Sequence, residues 1–147
     1  ACEKGRQWEH AVTLIEKMLS ETHEEGTIAN VISFNAAISA CAKGEQQQQQ
    51  ALSLVDSMQV AAIRPDVISF TAAISASRNW QSALSVLNSM ETTGMTRNAI
   101  SFNVVISVCE KCGQWQCALT LLNRMRLAAV VSNVISFNAA ISACNKG

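Results

Sequence analysis

One eleven-residue string returns four times along this chain. It reads Val-Ile-Ser-Phe-Asn-Ala-Ala-Ile-Ser-Ala-Cys from Val31 and again from Val134, with close variants from Val67 and from Ala99. The starts lie 36, 32 and 35 residues apart. Self-similarity at this period confines the fold to a stack of small supersecondary units, because a unit of that size cannot cover its own apolar face and must lean on its neighbours. A second block follows each of the first three strings: Ala51-Leu52-Ser53-Leu54-Val55, Ala83-Leu84-Ser85-Val86-Leu87 and Ala118-Leu119-Thr120-Leu121-Leu122, ending at Met58, Met90 and Met125. At the opening of the chain Cys2-Glu3-Lys4-Gly5 aligns with Cys109-Glu110-Lys111-Cys112, and Trp8 and Ala11 align with Trp115 and Ala118. The expected organisation is a partial unit over 1–30, units over 31–66, 67–98 (short) and 99–133, and a partial unit over 134–147. The chain thus reads as an excerpt from a longer array.

Within the first block Phe, Ile and Cys stand at i, i+4 and i+7, as in Phe34, Ile38 and Cys41, which is helical rather than strand spacing. Asn30, Asp66, Asn98 and Asn133 precede the four blocks, and each of them, or the Ser that follows two residues into the block, can accept a first-turn N–H. This is helix A of each unit. The second block sets Trp115, Ala118, Leu119, Leu122 and Met125 on one helical stripe, helix B. Lys-Gly or Lys-Cys-Gly turns the chain between them, and Gly94 or an Ala-Ala pair closes the unit. The predicted fold class is all-α: an α-solenoid, a right-handed superhelix of antiparallel helix pairs with about 35 residues per repeat. Such a fold offers one extended surface lined by the same position of every unit.

Composition narrows the function. Eleven Lys and Arg balance eleven Asp and Glu, so nothing pulls on polyanions in bulk. Charged residues make up only 15 % of the chain, against roughly a quarter in an average domain, and the polar surface falls to 16 Ser, 10 Asn and 10 Gln. No apolar run approaches the ~18 residues of a membrane span, so no membrane partner is expected. The opening Ala1-Cys2-Glu3-Lys4 carries no leader pattern. Six Cys without an Asn-x-Ser/Thr acceptor or a Gly/Pro-rich scaffold favour a reducing compartment.

A 35-residue helical hairpin with Val/Ala-Ile-Ser-Phe-Asn/Thr opening helix A, Lys-Gly or Lys-Cys-Gly at the turn, Trp-x-x-Ala-Leu in helix B and Asp66 or an Asn before the next unit resembles the pentatricopeptide repeat family, P-type-like. Tetratricopeptide repeats, the rival, put Trp-x-x-Leu-Gly-x-x-Tyr in helix A. Here there is no Tyr, and Trp8, Trp80 and Trp115 fall at the start of helix B. The resemblance implies sequence-selective binding of single-stranded RNA, one nucleotide per unit, chosen by the fifth residue of a unit and the last residue before the next. The pairs are Asn35 with Asp66, Thr71 with Asn98, and Asn103 with Asn133, while Asn138 opens a fourth. By the family's pattern they correspond to uracil, adenine, then cytosine or another pyrimidine. The same resemblance makes Ile32, Ile68, Ile100 and Ile135 base-sandwiching residues, and turns Lys43, Arg78, Lys111 and Lys146 towards phosphate. It implies a role in organellar RNA processing, stability or translation, in mitochondrion or plastid.

Plainer readings of the same residues stand beside these. An Asn at a helix start is commonly a cap, the isoleucines could be inter-repeat core, and a Lys before a turn Gly suits the helix C-terminal dipole. Cys109, Cys112 and Cys117 have three-ligand spacing, yet Cys2, Cys41, Cys109 and Cys144 occupy one repeat position, held by Ser77 in the short unit, and are expected to be packing residues rather than a metal site. His10 and His23 have no nucleophile or carboxylate constellation around them. No catalytic set, no zinc-deaminase His-x-Glu with paired Cys, no cofactor and no small-molecule substrate is expected. Gln46 to Gln50 reads as a solvated first turn of helix B. The turn Ser77-Arg78-Asn79-Trp80 is three residues short, which shortens helix A or skews its hairpin, and the run Glu21 to Glu25 lengthens helix B or its loop. Phe137, Ile141 and Cys144 have no following helix B in this sequence, so fraying or self-association through terminal repeats is expected. A protein-binding helical scaffold, supported by the neutral surface and the Gln tract, is the alternative function.

Overall fold

The computed structural model describes residues 7–20, 30–43 and 48–147, and every regular element among them is an α-helix. These are α1 (Gln7–Ser20), α2 (Val31–Lys43), α3 (Gln48–Val60), α4 (Val67–Ala76), α5 (Trp80–Thr92), α6 (Ala99–Lys111), α7 (Trp115–Leu127) and α8 (Val134–Lys146). The even-numbered helices are the A type and the odd-numbered ones the B type. His23 and the Glu21 to Glu25 run, Cys2, and Gln46 and Gln47 lie outside the described residues.

The A helices α4, α6 and α8 each begin at a reciprocal cap that the sequence encodes, and at α2 Asn30 Oδ1 accepts the Ser33 N–H at 3.0 Å. Asn98 Oδ1 accepts the Ser101 N–H at 2.9 Å while the Ser101 hydroxyl accepts the Asn98 N–H at 3.1 Å. The same exchange recurs between Asn133 and Ser136 and between Asp66 and Ser69. Two first-turn donors are thereby satisfied at each start, a contribution of about 1 kcal/mol per cap. Trp80 and Trp115 open α5 and α7, and Asn79 caps α5 by accepting the Ser82 N–H at 2.7 Å.

The chain divides into two compact units at Ala76 and Ser77. In the first, α2 packs against α1, α3 and α4, and α3 also touches α4. In the second, α6 packs against α5, α7 and α8, and α7 also touches α8. The cores repeat position by position. Phe34, Phe70 and Phe102 are buried, as are Ile38, Ile74 and Ile106 four residues on; on the B helices Ala51, Ala83, Ala118, Met58, Met90 and Met125 are likewise buried. Burial of each large side chain contributes roughly 1.5–3 kcal/mol, and the alanines let neighbouring backbones approach. Arg97 adds a clamp, its guanidinium 5.7 Å from the Phe102 ring centre and 3.0 Å from Glu91 at the end of α5.

Cys41 and Cys109 are buried packing residues, and Ser77 is buried at the equivalent place, but Cys144 is exposed along with Phe137 and Ile141, because no B helix covers that face of α8. The isoleucines read above as possible core are instead exposed, Ile32 at 76 %, Ile68 at 62 %, Ile100 at 59 % and Ile135 at 62 %. Ile32, Ile68 and Ile100 stand two residues before a buried Phe, on the other side of the helix. The short turn takes its residues from helix A: α4 has 10 residues where α2, α6 and α8 have 13.

B helices end with a residue in the left-handed region, Gly94 (φ 73°) after α5 but Ala62 (φ 56°) after α3 and Ala129 (φ 54°) after α7. The following N–H then reaches back to the last turn, Ile63 to Met58 O at 2.8 Å and Val130 to Met125 O at 2.9 Å. A Cβ in this region costs about 1–2 kcal/mol, partly offset by the greater entropy glycine loses on folding. Ala62→Gly and Ala129→Gly are therefore each expected to raise thermal stability by about 0.5–1 kcal/mol, and Gly94→Ala to lower it by a similar amount, as read by circular-dichroism melting.

Candidate nucleic-acid interface

In the first unit the side chains of Asn35 and Asp66, 31 positions apart, are hydrogen-bonded: Asn35 Nδ2 donates to Asp66 Oδ1 at 3.1 Å. Asn35 sits on the second turn of α2, and Asp66 caps α4. The buried Ser69 hydroxyl completes the group, 2.5 Å from Asn35 Oδ1. An amide carries two N–H donors and a carbonyl oxygen. One Asn35 donor is thus spent on Asp66 and its oxygen is engaged by Ser69, leaving the second N–H outside these two bonds. Asp66 commits Oδ1 to the Ser69 N–H and to Asn35, leaving Oδ2 as an acceptor. Partial burial works to raise the Asp66 pKa, but the hydrogen bonds from the Ser69 backbone, Asn35 and the Ser69 hydroxyl outweigh it and hold the carboxyl below its ordinary value. It is an anion at neutral pH.

The second unit repeats the arrangement with one chemical change. Asn103 Nδ2 donates to Asn133 Oδ1 at 3.3 Å, and the buried Ser136 hydroxyl lies 2.5 Å from Asn103 Oδ1. Asn133 Oδ1 also takes the Ser136 N–H at 3.1 Å. What Asn133 has left to offer is its NH2 group, so the last residue presents a donor here where Asp66 presents an acceptor. Asn103 is more enclosed than Asn35, only 9 % exposed.

Thr71 lies in the first unit and Asn98 in the second. The Thr71 hydroxyl donates to Val67 O of its own helix at 2.5 Å, which leaves its oxygen as an acceptor. Asn98 spends Oδ1 on the Ser101 N–H at 2.9 Å and keeps its amide hydrogens. Asn138 is exposed on α8. Ile32, Ile68, Ile100 and Ile135 each stand three residues before the fifth position, one turn away on the same helix face. Lys43 and Lys111 are exposed at the ends of α2 and α6, and Arg78 is exposed in the turn before α5. Lys146 Nζ is 2.9 Å from Glu110 Oε1, which also accepts the Ser142 hydroxyl at 2.7 Å, and these contacts, the lysine first, hold Glu110 below the ordinary carboxylate range.

Two groupings were not evident from sequence. The serine at the third position was legible only as a cap, although its recurrence as Ser33, Ser69, Ser101 and Ser136 was the available signal. The Glu110–Lys146 pair links positions 36 apart and has no local signature. His10 is exposed, and no cluster of three His, Cys, Asp or Glu able to hold a metal ion occurs among the described residues. Cys109 and Cys117 have their sulfurs 3.2 Å apart, and burial first, then the neighbouring thiol, push the Cys109 thiol well above its ordinary value. Among the described residues no helix is long and apolar enough to cross a membrane.

Paired helices at a 35-residue period, with matched polar pairs carried between successive A helices, define an all-α helical-repeat protein of the solenoid class. Two family models match the sequence, a pentatricopeptide repeat domain over residues 53–112 and a PPR repeat over 100–128, together more than half of the chain. The chain belongs to the pentatricopeptide repeat family. Among solved structures it is similar to the pentatricopeptide repeat protein PPR10 from maize, with a TM-score of 0.76 and 18 % identity over 94 % of this chain and 19 % of that one. It is also similar to the PPR domain of Arabidopsis thaliana protein-only RNase P 1 in complex with tRNA, with a TM-score of 0.73 and 13 % identity over 92 % of this chain and 71 % of that one. The chain thus spans about a fifth of the maize protein. No curated protein matches the sequence.

The depressed Asp66 pKa fixes the sign of an acid effect. A carboxylate more acidic folded than unfolded contributes stability above its unfolded value, about 3.9, and that contribution disappears as pH falls through the lower folded value. Asp66→Asn keeps the cap without the charge. The melting temperature of Asp66→Asn is expected to fall less steeply than that of the parent between pH 5 and the acid limb, and parallel curves would remove this role for Asp66.

Proposed function

We propose that this chain binds single-stranded RNA sequence-selectively, one nucleotide per repeat, and that the activity is recognition rather than catalysis. The observation that carries the reading is the hydrogen-bond balance of the two linked pairs, each of which leaves a small, defined donor and acceptor set beside an exposed isoleucine. At Asn35 and Asp66 the open groups are one N–H and one carboxylate oxygen. Uracil offers the complement, a carbonyl acceptor next to the N3–H donor. At Asn103 and Asn133 the open groups are donors on both residues, which suit the adjacent N3 and O2 acceptors of cytosine. By the family's pattern Thr71 and Asn98, one in each unit, correspond to adenine. By the family's pattern the order is uracil, adenine, then cytosine or another pyrimidine, with Asn138 opening a further position.

On this reading Ile32, Ile68, Ile100 and Ile135 wedge between successive bases, and Lys43, Arg78, Lys111 and Lys146 meet phosphate, Lys146 also pairing with Glu110. So few cations on a chain of zero net charge make the contact mostly base-directed. Organellar RNA processing, stability or translation, in mitochondrion or plastid, is the setting this reading carries. The maize and Arabidopsis neighbours support the fold that underlies it.

Fluorescence-anisotropy titration of the chain against short RNAs with a U-A-C core is expected to give tighter binding than to RNAs with the first and third bases exchanged. The slope of log affinity against log salt is expected to be about −2 or shallower, as two or three phosphate contacts to a single strand give. Asp66→Asn turns an acceptor into a donor and is expected to move the first position from uracil towards cytosine by about tenfold. Equal binding to all sequences, or a protein partner retained after Asn35, Asn103 and Asn138 are changed to Ala, would favour the scaffold reading instead.

A further inference from the structure

We infer that Ser69 and Ser136 are specificity-determining positioning residues, each fixing from the start of one A helix the base-reading asparagine of the A helix before it. The inference rests on the RNA reading above and adds a third residue to each linked pair. Both serines have no exposed surface, so neither can touch RNA. Each hydroxyl oxygen accepts a backbone N–H, from Asp66 at 3.1 Å and from Asn133 at 3.2 Å, which leaves its single proton to donate. The nearest acceptors are Asn35 Oδ1 and Asn103 Oδ1, both at 2.5 Å. The capping oxygens are farther, Asp66 Oδ1 at 3.0 Å and Asn133 Oδ1 at 3.1 Å, and both already receive a backbone and a side-chain N–H.

The asparagine amide is thereby tied at both ends, its nitrogen to the last residue of the unit and its oxygen to the serine. Turned over, it would set oxygen against oxygen at Asp66 or Asn133. Held as it is, one N–H alone faces the base. Without the serine hydroxyl the amide pivots on a single hydrogen bond, its oxygen loses a buried partner, and the outward group is no longer defined. The arrangement occurs independently in both compact units. Thr71 provides a contrast, since it fixes its own hydroxyl on Val67 O. Ser33 provides a control: it shares the cap with Asn30, through Ser33 N to Asn30 Oδ1 at 3.0 Å, while this sequence holds no earlier fifth residue for it to position.

The test uses the 147-residue chain, titrated with the U-A-C RNA and with versions carrying the other pyrimidine at the first or third base. Ser136→Ala is expected to reduce the cytosine-over-uracil preference at the third base about 3- to 10-fold and leave the first base unchanged. Ser69→Ala is expected to do the converse. Ser136→Thr, which keeps a hydroxyl, is expected to retain the preference, and Ser33→Ala to lower the melting temperature with both preferences intact. Side-chain amide relaxation of Asn103 supplies a readout that needs no RNA: it is expected to become more mobile in Ser136→Ala and not in Ser33→Ala. A parent chain that discriminates, together with a Ser136→Ala chain that discriminates equally and keeps Asn103 rigid, overturns the positioning role. A parent chain that does not discriminate overturns the RNA reading and the specificity role with it.

Discussion

The structure depends on one pattern of burial repeated along the chain, an A-helix phenylalanine and the isoleucine four residues on enclosed, as are alanine and methionine of the B helices. Phe34, Phe70 and Phe102 are almost wholly enclosed, and the small residues around them bring the helices close enough to enclose them. No hairpin achieves this alone. Phe137 and Ile141 belong to the same string and to a helix of the same length, yet stand 51 % and 66 % exposed. Burial is a property of the neighbour supplied, which is why the period of the sequence, more than its composition, decides the fold.

What was legible follows from the range of each interaction. Helices, caps and turns act over three or four residues, so Phe34, Ile38 and Cys41 at helical spacing, or Asn98 three before Ser101, announce them directly. The left-handed ends after α3 and α7 were legible as turns, although alanine occupies a conformation that favours glycine. The contacts that assemble the site act between units. Asn35 meets Asp66 and Ser69 at separations of 31 and 34 positions, and Lys146 meets Glu110 at 36. The family resemblance pointed to the first of these pairings as two residues acting on one base, but not to the serine between them. The isoleucines show the reverse difficulty, since apolar character alone reads as core and only packing reveals which side of the helix they take.

Zero net charge acquires a specific meaning on this scaffold. A surface with balanced charge has little long-range attraction for a phosphate backbone, so under the proposed reading discrimination comes from short-range hydrogen bonding at few positions. That suits a site whose amides are committed in advance. Each of the two linked pairs spends most of its donors and acceptors on protein partners and keeps only what a single base edge can meet.

The caps of α4 and α8 carry a consequence for how such a chain can change its target. Asp66 and Asn133 start a helix with one side-chain oxygen and, under the proposed reading, address a nucleotide with what remains of the same side chain. A substitution at this place is judged twice, and only the few side chains that both initiate a helix and expose a polar group pass. Leucine or alanine would forfeit the helix start before any RNA was met. The vocabulary available to the last residue of a repeat is therefore bounded by the physics of helix initiation, and the bases it can name are limited by what those few side chains have left to say.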